Sequence, residues 1–147
     1  MDLRWYERAF GELTTTQLYA IVQLRERVFV VEQNCVYLDA DGHDPISRHV
    51  WAERDGAIAA YLRVVPAGVK FAEVSIGRVI TAPAARGMGL GRELMRRGIA
   101  ACGGAAIHIG AQAHLEKFYG ELGFVRASDV YDEDGIPHVE MIRPAST

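Results

Sequence analysis

Three glycines at alternate positions, Gly87, Gly89 and Gly91, join the apolar run "EVSIGRVIT" to the helically periodic run "LGRELMRRGIA". Glycine loses more backbone entropy on folding than any other residue, so three in five positions are destabilising unless bare backbone is needed there. The join therefore predicts a strand, a tight loop and the N-terminus of a helix. Three phosphate-binding readings compete for such a loop. A dinucleotide fingerprint spaces its glycines G-x-G-x-x-G, and here the third comes one residue early. A Walker A loop needs a lysine after its last glycine, and Arg92 follows Gly91 instead. The third reading is a helix N-terminus whose free N–H groups and positive dipole end cradle a pyrophosphate. An ordinary strand-to-helix turn needs one or two glycines, not three.

Composition narrows the rest. The chain has 147 residues, 50% hydrophobic and 24% charged, which suits one soluble domain spanning 1–147. A net charge of −3 and a pI near 5.9 argue against a nucleic-acid binder. The local cluster Arg86, Arg92, Arg96 and Arg97 suits a small anion instead. The first ten residues, "MDLRWYERAF", do not read as a signal peptide, and no apolar run approaches the ~20 residues of a membrane span. Cys35 and Cys102 form no metal-ligand spacing, so no metal is expected, and the cytoplasm, with reduced thiols, is the expected location.

Arg4–Phe10 reads as extended. Thr14–Thr16 offer caps, and Leu18, Ile21, Val22, Leu24 and Val28 predict a helix over 15–30. "EQNCVYLDADGHDPISR" predicts a long irregular loop, a kind of segment that is usually functional or mobile. His49–Ala52 and Ala57–Val65 read as strands joined at Asp55-Gly56, and Phe71–Thr81 as another strand. A helix to about Cys102 presents Leu94, Met95, Ile99 and Cys102 to the core. Ala105–Ala111 reads as a buried strand, Leu115–Leu122 as a short helix closed by Gly123, and Val125–Tyr131 with Pro137–Arg143 as a hairpin about Asp134-Gly135.

The loop Arg86-Gly87-Met88-Gly89-Leu90-Gly91 resembles the [QR]-x-x-G-x-[GA] loop of the GNAT superfamily of N-acetyltransferases. A second block, "GAQAHLEKFYGELGF" at 110–124, is similar to that family's later strand, amide residue and helix ending F-Y-x-x-x-G-F. "LRERVFVVEQNCVYLDADG", "IGRVI", "GAQAHL" and "DGIPH" further resemble the ElaA-type branch. The resemblance runs from about Gln17 to Met141. It implies an α/β fold of mixed α+β character: a twisted mixed sheet with splayed central parallel strands flanked by helices. Acyl-coenzyme A would lie in the V between Phe71–Thr81 and Ala105–Ala111.

The resemblance also implies roles. The backbone of Arg86, Gly87, Met88, Gly89, Leu90 and Gly91, with Arg92 at the helix start, would hold the pyrophosphate. Val79, Ile80 and Thr81 would pair with the pantetheine amides as a partial strand. Arg92, Arg96 and Arg97 are candidates for the other phosphate, or else a solvated helix face. Gln112 stands where the family usually has asparagine. Tyr119 matches the tyrosine near the cofactor sulfur, where a phenol can protonate the departing thiolate. An ammonium must lose a proton before attack, its pKa being near ~10.4 in a lysine side chain. Several members carry a glutamate for this where Ser75 stands here. Glu73 is two residues earlier, on the same face of an extended strand, and would act through a water on Ser75. His108 and His114 are alternatives.

The acceptor pocket is expected from the first helix, the loop Glu32–Asp44 and the last hairpin. Glu32, Asp39, Asp41 and Asp44 suit a cationic amine; Cys35 and His138 are expected to line the pocket. Asp39-Ala40-Asp41-Gly42 is not a calcium loop, because Asp44 occupies the position that needs glycine. The expected activity is acetyl transfer from acetyl-CoA to a primary amine by direct attack. The alternative is a non-catalytic acyl-CoA-binding module or sensor. "LRERVFVVEQ" also faintly resembles acyl-homoserine-lactone synthases, but the complete glycine loop favours coenzyme A over a carrier protein. The expected partner is a small-molecule or peptide amine, with no nucleic acid and no membrane; a homodimer is left open.

Overall fold

The computed structural model describes residues 3–146; Met1, Asp2 and Thr147, which the expected domain includes, lie outside the described residues. Strands β1 (Leu3–Ala9), β2 (Arg48–Arg54), β3 (Ala57–Val65) and β4 (Ser75–Thr81) form an antiparallel sheet in that order. The turn between β2 and β3 has Asp55 at φ 53° and Gly56 at φ 80°, the two positive values a two-residue hairpin loop requires. From Ala59 onward β3 is buried on both faces. Trp51 and Tyr61 meet Ile21, Leu24 and Val28 on one side, while Val50, Ala52, Leu62 and Val64 meet Leu90, Leu94 and Met95 on the other. A sheet covered on both faces explains why these strands read as apolar runs rather than as alternation.

The expected first helix changes character halfway. Helix α1 (Thr15–Arg25) is capped by Thr14, whose hydroxyl accepts from the Gln17 N–H while Gln17 answers the Thr14 N–H. Residues Glu26–Glu32 then widen into a π-helix, with Gln33 N–H bonded to the Val28 carbonyl and Cys35 N–H to that of Val30. The run Val28-Phe29-Val30-Val31 is β-branched and aromatic, so its α propensity is low. The wider turn brings Val28 and Phe29 to the cavity described below.

After β4 the glycine loop leads into α2 (Leu90–Ala101) and then β5 (Ile107–Gln112). Strands β6 (Val125–Arg126), β7 (Tyr131–Glu133) and β8 (Ile136–Arg143) follow the short helix α3 (Glu116–Gly120). β8 pairs antiparallel with β5, β6 and β7. The β7–β8 turn is again Asp-Gly, with φ 54° at Asp134 and 81° at Gly135.

Two strand expectations are corrected. Phe71–Val74 is not part of β4: the Phe71 ring leaves the ladder to stack on His108, centroids 3.7 Å apart. Val125–Tyr131 is not continuous either. The Ser128 hydroxyl accepts the Glu140 N–H at 2.9 Å, replacing a backbone partner and breaking the run into β6 and β7.

The two sheets meet at one end only. Val74 and Ile107 form a single parallel bridge, and His108 N–H donates to the Val74 carbonyl at 2.9 Å. Beyond it β4 and β5 share no ladder among the described residues. The parallel pair therefore opens into a V, and one edge of β4 keeps its backbone donors and acceptors.

Candidate active site

A cavity of about 710 Å³ fills the V. Ser75, Ile76, Gly77, Arg78, Val79, Ile80 and Thr81 line it from β4, and Ile109, Gly110 and Gln112 from β5. Ser75 is the first residue of β4 and is buried. β4 also carries a bulge: Gly77 pairs with Arg63 and Ile80 with Tyr61, so β4 spends three steps where β3 spends two. Arg78 sits there at φ 53°, and its guanidinium turns to Asp39 and Asp41. Bulges re-aim side chains beside sites, and this one leaves an extra residue out of the ladder at the cavity wall.

At the open end of the V, Gly87 (φ 84°) and Gly89 (φ 74°) turn the chain into α2. A methyl built on either would meet nothing within 4 Å, so both face open space. Among the described residues no side chain caps the first N–H groups of α2. The orphan donors of a helix start, the positive dipole end and the absence of side chains together fit an anionic diphosphate. Gly91 differs. It lies within α2 without a positive φ, lines the cavity, and a methyl there would touch Phe118 and Thr81 at 3.8 Å. Gly91 thus serves close approach rather than the turn. Leu90 anchors the same segment in the core and Met88 packs against it.

The arginines of this region are already engaged. Arg86 lines the cavity, but its guanidinium forks onto the Glu32 carboxylate. That hydrogen-bonded pairing holds the Glu32 carboxyl below its ordinary range. Glu32 is not among the cavity-lining residues, so the expectation that it faces the acceptor is corrected: it clasps the glycine loop to the end of the π-helix. Arg92 pairs with Glu121 at 2.7 Å and lies over the Phe118 ring. Arg96 and Arg97 both pair with Glu93 on their own helix, and Arg97 covers Trp5. All three guanidiniums lie on the exposed face of α2.

Tyr119 is 6% exposed and lines the cavity from α3, with Phe118 and Phe124 edge-on to its ring. Burial pushes its phenol up to about 12, so it stays neutral and keeps a proton to donate. Its hydroxyl forms no hydrogen bond among the described residues. Gln112 lies opposite His138 in the β5–β8 ladder, and both line the cavity. His114 lines it too, exposed.

Glu73 does not share a strand face with Ser75. It lies before β4, outside the cavity lining, where its carboxylate meets His108 Nδ1 at 3.0 Å. The other His108 nitrogen meets Glu140 at 2.6 Å. His108 and Glu73 thus form a clasp where the two sheets join, away from the cavity.

The end of the cavity expected to take the acceptor is walled by the loop after the π-helix and by the β7–β8 turn. Cys35 is buried there, and its thiol donates to the carbonyls of Asp134 (3.3 Å) and Gln33 (3.5 Å). Through these two bonds Cys35 ties the two walls together. Asp41 lines the cavity, yet Arg63 (2.6 Å) and Arg78 (3.3 Å) hold its carboxylate. Burial raises the Asp41 pKa and hydrogen bonds from Arg63 outweigh it, leaving the carboxyl well below its ordinary range. Arg25, itself 1% exposed, binds Asp39 (2.8 Å) and Asp44 (2.7 Å); Arg63 also reaches Asp44 (2.9 Å). Asp39 and Asp44 are therefore not free to meet a cation. Two buried arginines, Arg25 and Arg63, and the half-buried Arg78 against three aspartates pin the irregular loop to α1, β3 and β4. Sequence reading missed Tyr37, Lys70 and Arg78 in the lining and Arg25 and Arg63 beneath it. The available signal was Arg63 inside "AIAAYLRVV", since a buried guanidinium demands carboxylate partners.

A model of the acetyltransferase (GNAT) domain matches residues 20–143. Protein ElaA of Escherichia coli is 42% identical over 96% of each chain. Among solved structures, an acyl-CoA N-acyltransferase from Pseudomonas aeruginosa superposes with a TM-score of 0.92 at 44% identity, covering 97% of this chain and 99% of that one. The crystal structure of Escherichia coli ElaA gives 0.91 at 40% identity, over 97% and 99%. No helix of the described residues is long and apolar enough to cross a membrane. A mixed α/β fold split into a V, a bare helix start at its mouth and these relatives lead to one assignment: the chain belongs to the GNAT acetyltransferase family, in its ElaA-like branch.

Proposed function

We propose that this protein transfers an acetyl group from acetyl-CoA to a primary amine by direct attack. The observation that carries this reading is the V-shaped cavity with uncapped α2 N–H groups at one end and a buried, neutral Tyr119 in its wall. In this reading Gly87 to Arg92 hold the pyrophosphate through backbone N–H groups. The unpaired edge of β4 at Val79, Ile80 and Thr81 takes the pantetheine amides, and Gln112 bonds the same arm from β5. Bound acetyl-CoA supplies an activated thioester. Tyr119 donates its proton to the departing thiolate, and Ser75 holds a water or the amine near the start of β4. The acceptor enters between Cys35, Asp41 and His138 and is a small-molecule or peptide amine.

The binding-module alternative draws on Ser75 standing where the family resemblance leads one to expect a glutamate, with Glu73 held by His108. One assay separates the two. Thiol release from acetyl-CoA is followed across lysine, putrescine and an alanine-terminated tripeptide. Amine-dependent release supports the transferase. Tight acetyl-CoA binding with no release for any amine supports the module.

A further inference from the structure

The carboxylates first expected to meet the acceptor are occupied, Glu32 by Arg86, Asp41 by Arg63 and Arg78, Asp39 by Arg25, and Asp44 by Arg25 and Arg63, and so is the base candidate Glu73, by His108. The acceptor must still lose a proton. His138 stands apart from these groups. It is 7% exposed and lines the cavity, and it lies opposite Gln112, so both side chains share one face of the β5–β8 ladder. Its Nδ1 is 2.7 Å from the Ile136 carbonyl oxygen. A carbonyl only accepts, so Nδ1 carries a hydrogen, and in the neutral ring the lone pair then lies on Nε2. Tyr131 stacks beside the ring at 5.9 Å, and Glu133 Oε2 lies 3.4 Å from Nε2. An imidazole with Nδ1 fixed as donor and a carboxylate beside Nε2 is arranged to receive a proton at Nε2.

We propose that His138 is the general base that deprotonates the incoming ammonium, with Glu133 stabilising the imidazolium; the inference rests on the acyl-transfer reading. An N–H bond of the ammonium breaks, and its proton bonds to Nε2 and leaves to solvent when the site opens. The freed nitrogen pair forms the C–N bond to the thioester carbonyl carbon, and the C–S electrons depart with sulfur. Tyr119 protonates that sulfur. The second proton shed by the nitrogen restores the phenol, so the sum is amide, free thiol and one released proton. Asp134 also lines the cavity, at the β7–β8 turn, where its backbone carbonyl accepts from the Cys35 thiol. His114 is exposed, with neither nitrogen held among the described residues.

The test is a pH profile of kcat/KM for the wild type and His138→Asn, using the most active amine of the panel. The charges around the ring are Glu133 and Asp134 on its own hairpin and Lys70, Asp41 and Arg78 among the other lining residues. None of them changes in the variant. At pH 7 the variant should lose ~10²- to 10⁴-fold, the usual share of a general base. The deficit should shrink as pH approaches the pKa of the amine, where no base is needed. Acetyl-CoA Kd and melting temperature should stay near wild type. A deficit that is constant across pH, or a wild-type rate at pH 7, overturns the proposal. If the variant does not fold, ¹⁵N NMR of the wild-type ring decides: an Nδ1-protonated neutral tautomer at pH 8 supports it, and an Nε2-protonated ring overturns it. A wild type inactive with every amine overturns the acyl-transfer reading itself; an active wild type with an equally active variant overturns the base alone.

Discussion

Gly89→Val separates what the glycine loop does for folding from what it does for binding. Gly89 sits at φ 74° and ψ 13° as the N-cap of α2. An L-residue in that left-handed region costs ~1–2 kcal/mol, and a β-branched one lies at the upper end. No atom lies within 4 Å of the added Cβ, so no clash adds to this cost. A chain of this length loses ~2–4 °C per kcal/mol, so the melting temperature should fall by ~4–8 °C with the fold retained. The open space that receives the new side chain is where the diphosphate is proposed to approach. Losing one charge-assisted N–H bond, worth ~1.5–3 kcal/mol, weakens acetyl-CoA binding ~10- to 150-fold. Calorimetry on the folded variant reads this directly, with Gly56→Val as a control, since Gly56 has a comparable φ of 80° in the β2–β3 turn. The control should lose stability but not affinity. An unchanged Kd in folded Gly89→Val, alongside the expected loss of stability, would refute the reasoning.

Three further outcomes are expected. Tyr119→Phe keeps the packing with Phe118 and Phe124 and removes the proposed proton donor; kcat and kcat/KM should fall together by ~10- to 10⁴-fold with little change in acetyl-CoA Kd, as steady-state kinetics and calorimetry would read. Arg63→Met leaves Asp41 and Asp44 short of a partner beside an apolar strand; breaking such a pair typically costs ~3–5 kcal/mol, read by urea denaturation, and proteolysis should nick the loop over 33–47 first. Asp41 and Asp44 are both held below their ordinary pKa, so their stabilisation is fully present above the unfolded carboxylate value near ~3.9 and is lost as pH falls below it toward the lowered folded values; urea midpoints should be level from pH 7 to 5 and drop below about pH 4.

Local chemistry was legible in the sequence. Asp55-Gly56 and Asp134-Gly135 announce their turns because only small or polar residues tolerate two positive φ values in succession. The glycine loop announces a helix start, and α2 shows its buried stripe at helical spacing. Pairings between distant positions were not legible. Glu32 and Arg86 are 54 positions apart, and Glu73 and His108 are 35 apart. Nothing local says that those carboxylates are spoken for, so both drew functional readings. The switch from α to π at Glu26 was hidden for another reason: an apolar run of suitable period fits either helix, and the bonds to the Val28 and Val30 carbonyls depend on where the following loop is pinned.

The central claim is that acetyl-CoA lies in the V between β4 and β5 with its diphosphate on the start of α2. Melting the protein with and without acetyl-CoA, and titrating the same pair by calorimetry, tests it most directly. At a hundredfold excess over Kd, a ligand of the native state adds ~2.7 kcal/mol, which is a rise of ~5–11 °C for a chain of this size. A one-to-one heat of binding with that rise is the predicted result. An unmoved melting curve in millimolar acetyl-CoA, with no heat of binding, would contradict it.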